Sequence, residues 1–252
     1  MAQGAKPTTL KSHTLKAFET YVRKAESQME QTQRESSSFL WADASSDRSQ
    51  QIHKGQIVAQ FWSGKEPVSV PDGLIHDWIG AAYIPDTTLK KTLALIQDYD
   101  NHKSIYKPDV MDSKLISRRD DDFQIYLRLL KKKIITVILD TDHKVHYDSL
   151  DPTRSVCRSH TTRIAEVENA GSPEEKALPP DTGYGFLWRL NSYWRFQERD
   201  RGLCAECRAI SLTRDVPLGL GWVIKPIIQN LPKESLIKTL DSTRQALTVL
   251  GK

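Results

Sequence analysis

Residues 186–213 read FLWRLNSYWRFQERDRGLCAECRAISLT, and how this stretch folds decides the rest of the chain. Phe186 to Phe196 is rich in aromatic and alternating residues and predicts a strand. Gly202 to Thr213 predicts a second. The polar run Gln197 to Arg201 suits the turn of a hairpin. Successive side chains on a strand point to opposite faces. Phe186, Trp188, Leu190, Ser192, Trp194 and Phe196 therefore share one face. Leu203, Ala205, Cys207, Ala209, Ser211 and Thr213 do the same on the second strand. A loop from Arg199 to Gly202 sets Arg195 opposite Glu206, a favourable cross-strand pair. The same register sets Trp194 opposite Cys207, Phe196 opposite Ala205 and Trp188 opposite Thr213. Large rings then stand beside small residues, which leaves room for a helix or a ligand over that face. Arg189, Arg195, Glu206 and Arg208 are expected on the other, outer face as ion-pair partners. Facing inward, they would form a buried charged cluster and an anion or acid/base site.

Downstream, Pro217, Gly219, Gly221 and Pro226 are expected to break regular structure. After Pro232 the apolar spacing of Leu236, Leu240, Leu247 and Leu250, with Thr243 in the same row, predicts a helix. Upstream, Leu10 to Gln33 predicts a helix with Phe18, Val22, Ala25 and Met29 on one face. Glu35 to Ser49 is polar and loop-like, apart from Phe39-Leu40-Trp41. Ile57 to Trp62 predicts a short strand. Leu74 to Ile84 (LIHDWIGAAYI) predicts the first strand of the main domain, and Asp86 is a candidate helix cap. Thr88 to Tyr99 predicts a helix. Val110 to Arg119, Phe123 to Leu130, Ile134 to Tyr147 and Ser155 to Val167 follow as strands separated by turns. Consecutive hairpin strands with helices at either end of the run define an α+β class. Residues 1–73 are expected to be a helical extension and linker, and residues 74–252 the main domain.

The 252 residues carry 36 basic and 32 acidic side chains, a net charge of +4 that does not call for nucleic acid. Charged residues make up 27% of the chain, and no stretch approaches a membrane span. The start, MAQGAKPTTLK, lacks the apolar core of a signal peptide, so a cytoplasmic location is expected by default. A mature exported chain whose signal has been removed would read the same. Three cysteines, Cys157, Cys204 and Cys207, are too few and too odd in number for a disulfide framework. Cys204 and Cys207 match C-x-x-C, but three residues apart on a strand they point to opposite faces.

Leu95-Ile96-Gln97-Asp98-Tyr99-Asp100, together with Tyr106-Lys107-Pro108-Asp109-Val110, resembles a signature of the START-like, or helix-grip, superfamily. There a helix leads through an aromatic–proline turn into the second strand. The strand meander from Val110 to Thr213 and the helix after Pro232 extend the resemblance across residues 74–250, and it is also similar to a bacterial subgroup. The resemblance implies a curved antiparallel sheet wrapped around a long C-terminal helix, with a cavity between them. It implies ligands such as lipids, sterols, quinones or polyketides, and no universal catalytic residue.

No nucleotide-loop or nucleophile-elbow motif is present. Asp140, Asp142, His143 and His146 suggest a metal cluster at first sight, but His143 and His146 face opposite ways on a strand. Lys131 to Lys133 reads as a solvated edge. Gly219-Leu220-Gly221-Trp222 reads as a mobile rim beside the last helix. The expected ligand-contacting residues are Tyr106, Trp188, Ser192, Trp194, Ser211, Thr213, Trp222 and Leu240. The aromatic rings would give contact area and the hydroxyls orientation. No catalytic residue, metal or cofactor is expected. The leading expectation is binding, and carriage, of a hydrophobic small molecule. The runner-up is a cyclase or aromatase acting on a polyketide; the third is an interaction module docking its N-terminal helix on a partner.

Overall fold

The computed structural model describes residues 7–35, 38–62, 64, 66–132, 136–215 and 221–250. For residues 33–35, 221–230 and 250 it describes the backbone alone. In chain order the elements are β1 (Thr8–Thr9), α1 (Ser12–Glu35), a 3-10 turn (Trp41–Ala44), α2 (Ser46–His53), β2 (Val58–Phe61), β3 (Val68–Val70) and β4 (Gly73–Pro85). Next come α3 (Leu89–Ile96), a 3-10 turn (Tyr99–Asn101), α4 (His102–Ile105), β5 (Val110–Arg119), β6 (Asp122–Lys132), β7 (Thr136–Asp151) and β8 (Arg154–Glu168). The chain closes with β9 (Lys176–Ala177), β10 (Thr182–Gly183), β11 (Arg189–Arg199), β12 (Gly202–Arg214) and α5 (Gly221–Leu250).

One antiparallel sheet runs in the order β2-β4-β12-β11-β8-β7-β6-β5. Its first long strand, β4, is followed by helices and lies beside its last strand, β12, while β5 forms the far edge. With α5 packed across β4, β12 and β2, this is the helix-grip α+β fold. We call the face under α5 the inner face and the opposite one the outer face.

The β11–β12 hairpin has the expected register: Arg195 pairs with Glu206, Trp194 with Cys207 and Phe196 with Ala205. A two-residue turn closes it, with Asp200 at φ 54° and Arg201 at φ 57°, matching the twist of the flanking strands. Cys204 and Cys207 do point to opposite faces, into different apolar clusters, and all three cysteines are buried and free.

Several elements differ from the expectation. The first strand of the hairpin begins at Arg189, because residues 186–188 bend and lose the alternation. β7 is one continuous strand of 16 residues and runs past the expected end at Tyr147 to Asp151. The cap of α3 is Thr88, whose hydroxyl accepts from Lys91 N at 3.2 Å; Asp86, at φ 55°, belongs to the preceding turn. α5 begins at Gly221 and runs through Pro226 and Pro232 instead of starting after them. Proline's own φ is helical, and it removes a single donor. The burial of Leu236, Leu240 and Leu247 further along holds the helix in place. The expected rim residues Gly219 and Leu220 and the basic residue Lys133 lie outside the described residues. Lys131, expected as a solvated edge, is ion-paired with Asp109 at 3.0 Å.

The N-terminal segment covers the outer face. On α1, Phe18, Val22 and Ala25 recur at four- and three-residue spacing and pack on Ile75, Tyr193, Ile210 and Leu212. Leu40, Ala42 and Ile52 cover Ala81 and Cys204 beside them. α2 begins within the stretch Glu35 to Ser49 that reads as loop in the sequence; its cap is Ser45, which accepts from Arg48 N. The expected boundary at residues 73 and 74 falls in a tight hairpin, because β3 pairs with the start of β4.

Candidate functional site

Alternation assigns the inner face strand by strand. β4 gives it His76, Trp78, Gly80, Ala82 and Ile84, and β12 gives Leu203 through Thr213 at every second residue. These strands carry small residues where α5 crosses. A Cβ on Gly80 would lie 3.1 Å from Leu240 Cδ1 and 3.2 Å from Leu236 Cδ2, so the helix sits on the strand backbone. Farther across the sheet, β11 gives Leu190, Ser192, Trp194 and Phe196. β8 gives Cys157, Ser159 and Thr161, β7 gives His143, Val145 and Tyr147, and β6 gives Phe123, Ile125 and Leu127. None of these residues carries a formal charge when its histidines are neutral.

The two ends of this face differ. Towards α3 it is apolar and closed, with Phe123, Tyr147, Phe196 and Leu203 packed on Leu95, Ile96 and Tyr99. Tyr99 and Tyr147 join hydroxyls at 2.8 Å there. Towards the other end the floor is made of hydroxyls and two histidines. His76 pairs in register with Ser211, and His143 with Thr161. Ser192 stands beside Ser159. Leu127, Ser159, Leu190, Ser192 and Trp194 are all only half-buried on this side. Trp194 stacks on Phe196 with the rings 7° from parallel and 5.6 Å apart.

The hydrogen bonds fix the state of both histidines. Thr213 donates its one hydroxyl proton to Arg214 O at 3.2 Å, and His76 Nε2 lies 3.0 Å from that same hydroxyl oxygen. His76 Nε2 must therefore carry a proton and donate to Thr213. Its Nδ1 is then a bare acceptor, buried and without a partner. Trp78 Nε1, two residues along on the same face, is a buried donor, also without a partner. Likewise Thr141 donates to Leu127 O at 3.0 Å, so His143 Nε2 donates to Thr141 at 2.9 Å. Burial pulls both imidazoles down to about 4, so both are neutral at pH 7.

The sequence-predicted residues divide three ways. Ser192, Trp194, Ser211, Thr213 and Leu240 come together on the inner face. Tyr106 stands at its closed end and ties α4 to α5: its hydroxyl donates to Thr243 Oγ1 at 3.1 Å, because Thr243's proton goes to Thr239 O. Burial raises the Tyr106 phenol to about 12, so it stays protonated. Trp188, expected beside Thr213, instead packs on the outer face with Phe18 and Tyr193. The bend at residues 186–188 breaks the alternation that placed it inside. The Trp222 side chain lies outside the described residues. His76 and Trp78 were missed, although the alternation of LIHDWIGAAYI separates His76 and Trp78 from Ile75 and Asp77.

The charged residues of the hairpin lie on the outer face, yet they are not solvated. Glu206 and Arg208 are each 3% exposed. Arg208 makes a two-pronged pair with Asp77, at 2.9 and 2.6 Å, and Tyr21 of α1 donates to the same carboxylate at 2.8 Å. Arg195 donates to Phe39 O at 2.9 Å rather than to its cross-strand partner Glu206, which accepts from Ala42 N at 3.2 Å. Arg189 pairs with Asp181, and Arg199 holds Asp43 through two bonds of 2.7 Å. Apart from Arg189, the cluster is thus a set of clamps for the N-terminal segment. Of the four residues that suggest a metal, Asp140 is held by Arg128 and Tyr126, Asp142 by Arg163, and His146 by Asp122 and Asp148. Only His143 faces inward.

A long antiparallel sheet under a C-terminal helix, with hydroxyls and half-buried apolar side chains on its inner face, defines a helix-grip domain. No protein-family model matches the chain, and no curated protein does. Among solved structures it is similar to a protein from Thermus thermophilus known as TTHA0849, at 14% identity and a TM-score of 0.48, covering 69% of this chain and 98% of that one. It is similar to a STAR-related lipid transfer protein from Xanthomonas axonopodis, at 14% identity and a TM-score of 0.48, over 73% and 98% of the two chains. It is also similar to the Zhui aromatase/cyclase from a Streptomyces species, at 10% identity and a TM-score of 0.47, over 69% and 94%.

Proposed function

We propose that this chain binds and carries a hydrophobic small molecule, of the lipid, sterol-like, quinone or polyketide kind, on the inner face beside α5. The observation that carries this reading is the uncharged floor left half-buried beyond the strip where α5 packs. There Leu127, Leu190 and Trp194 offer apolar contact, while Ser159 and Ser192 offer hydroxyls. Apolar area removed from water contributes roughly 25 cal/mol per Å², so a ligand that covers this floor gains most of its affinity from burial.

Two further observations favour binding over the other readings. A cyclase would need groups that move protons beside the ligand; Arg189, Arg195, Glu206 and Arg208 are committed to the opposite face, and burial holds the inner-face imidazoles of His76 and His143 near 4, which makes them weak bases. A docking module would need a free apolar stripe on α1, and Phe18, Val22 and Ala25 are spent against the sheet. The test is native mass spectrometry of the purified protein, followed by organic extraction and mass analysis. A defined co-purifying or added hydrophobic ligand, bound one to one, is the expected result. A protein that arrives empty and ignores a panel of hydrophobic probes would overturn the reading.

A further inference from the structure

We propose that His76 and Trp78 form a neutral hydrogen-bonding anchor, which selects ligands whose apolar body carries a hydroxyl head. The inference rests on the binding reading above and gives it a ligand chemistry. His76 is fully buried and Trp78 nearly so, and they share the inner face of β4 with Ala82 and Ile84. Buried polar atoms are almost always hydrogen-bonded, and an unmade bond costs on the order of 1–3 kcal/mol. Here two, on residues two apart on the same strand face, are without partners, one of each kind. His76 Nδ1 is an acceptor, because Thr213 has claimed the proton on Nε2. Trp78 Nε1–H is a donor and nothing else. A hydroxyl matches both, since it gives one proton and accepts another. An ether or ketone oxygen can serve Trp78 but leaves His76 unpaired. A bare hydrocarbon leaves both unpaired.

A charged group also reaches this end of the face. Lys233 of α5 holds its Nζ over the Trp78 ring, 5.7 Å from the centroid. It gives an anionic head an alternative partner. An anion, however, has no proton for His76, which stays neutral because burial holds its pKa near 4. A neutral alcohol or phenol satisfies the pair without bringing a charge out of water.

The experiment uses the full chain at pH 7 with four probes that share one ring system: 2-naphthol, 2-methoxynaphthalene, naphthalene and 2-naphthoate. Binding is followed by calorimetry, and the imidazole nitrogens are followed by NMR on protein labelled with 15N-histidine. We expect 2-naphthol to bind about tenfold tighter than 2-methoxynaphthalene, because a site built for a hydroxyl rejects an analogue lacking it. We also expect the His76 Nδ1 resonance alone to move, from a free acceptor towards a hydrogen-bonded one. His76→Phe should abolish the preference while leaving naphthalene binding in place. If that variant does not fold, the nitrogen shift in the unaltered protein still decides. Equal affinities for 2-naphthol and 2-methoxynaphthalene, an unmoved Nδ1 signal, or tighter binding of 2-naphthoate would overturn the anchor and leave the binding reading intact. An unmoved signal in the complex would mean that a buried water serves these atoms. Failure of all four probes to bind would overturn both.

Discussion

At the scale of single residues, the outer face carries an unusual carboxyl. Burial pushes Glu206 from its ordinary 4.5 up to about 7, against the pull of Arg195 and the backbone N–H groups of Ala42 and Trp41. Between these two values the folded protein keeps a proton that the unfolded chain has released. The stability this contributes is complete below pH 4.5 and is lost as pH rises through 7. Glu206→Gln keeps an oxygen for the Ala42 N–H and removes the titration. We therefore expect urea midpoints measured from about pH 4.5 to about pH 8 to decline less steeply for the variant than for the parent. Parallel curves would refute this account. The register that sets Glu206 opposite Arg195 is legible in the sequence, because it needs only a turn and an alternation. Their burial is not legible. It comes from Phe39 and Ala42, 156 and 164 positions away from the side chains they meet, and no local pattern announces that contact.

At the scale of elements, the grip depends on how closely α5 approaches β4. Gly80 is the contact point. A side chain there would meet Leu240, Leu236 and the Val58 carbonyl, all within 3.2 Å. Gly80→Val adds bulk against the backbone of β2 on one side and the helix on the other, and neither can retreat without losing burial elsewhere. Overpacking of this kind costs about 1–3 kcal/mol. We expect that loss in chemical denaturation, with a change in tryptophan emission as Trp78 is disturbed. An unchanged midpoint would mean that α5 floats over the sheet rather than gripping it. The stripe of Leu236, Leu240, Thr243 and Leu247 is visible in the sequence, since helical spacing and apolarity suffice to show it. The earlier start of α5 is not, because two prolines and a glycine argue locally for a break. Tertiary packing overrides such propensities, at a cost of about 3 kcal/mol for an interior proline.

At the scale of the whole molecule, the sheet is covered on both faces by unlike means. The outer face is closed by α1, the 3-10 turn at Trp41 and α2, through apolar packing and buried ion pairs. Between α1 and β11 it keeps a recess of about 30 Å³, room for a water and little more. On the inner face α3 packs over one end and α5 over β4 and β12, while Leu127, Ser159, Leu190, Ser192 and Trp194 stay half-buried. The charges of the β11–β12 hairpin and the N-terminal segment lie on one face, and this asymmetry yields the last prediction. Ser192 is half-buried on the inner face, in the middle of the hydroxyl floor, whereas His160 is exposed on the outer face of the neighbouring strand. Ser192→Trp alters a residue that is only half-buried rather than part of the fully buried core, so its urea midpoint should stay close to the parent's. It should nevertheless lower the affinity for 2-naphthol by about tenfold or more, because the ring takes the place of the ligand. His160→Trp places the same indole ring on the other side and should leave binding unchanged. Loss of binding with His160→Trp but not with Ser192→Trp would place the ligand against α1, and the inner face would then be only a loosely packed core.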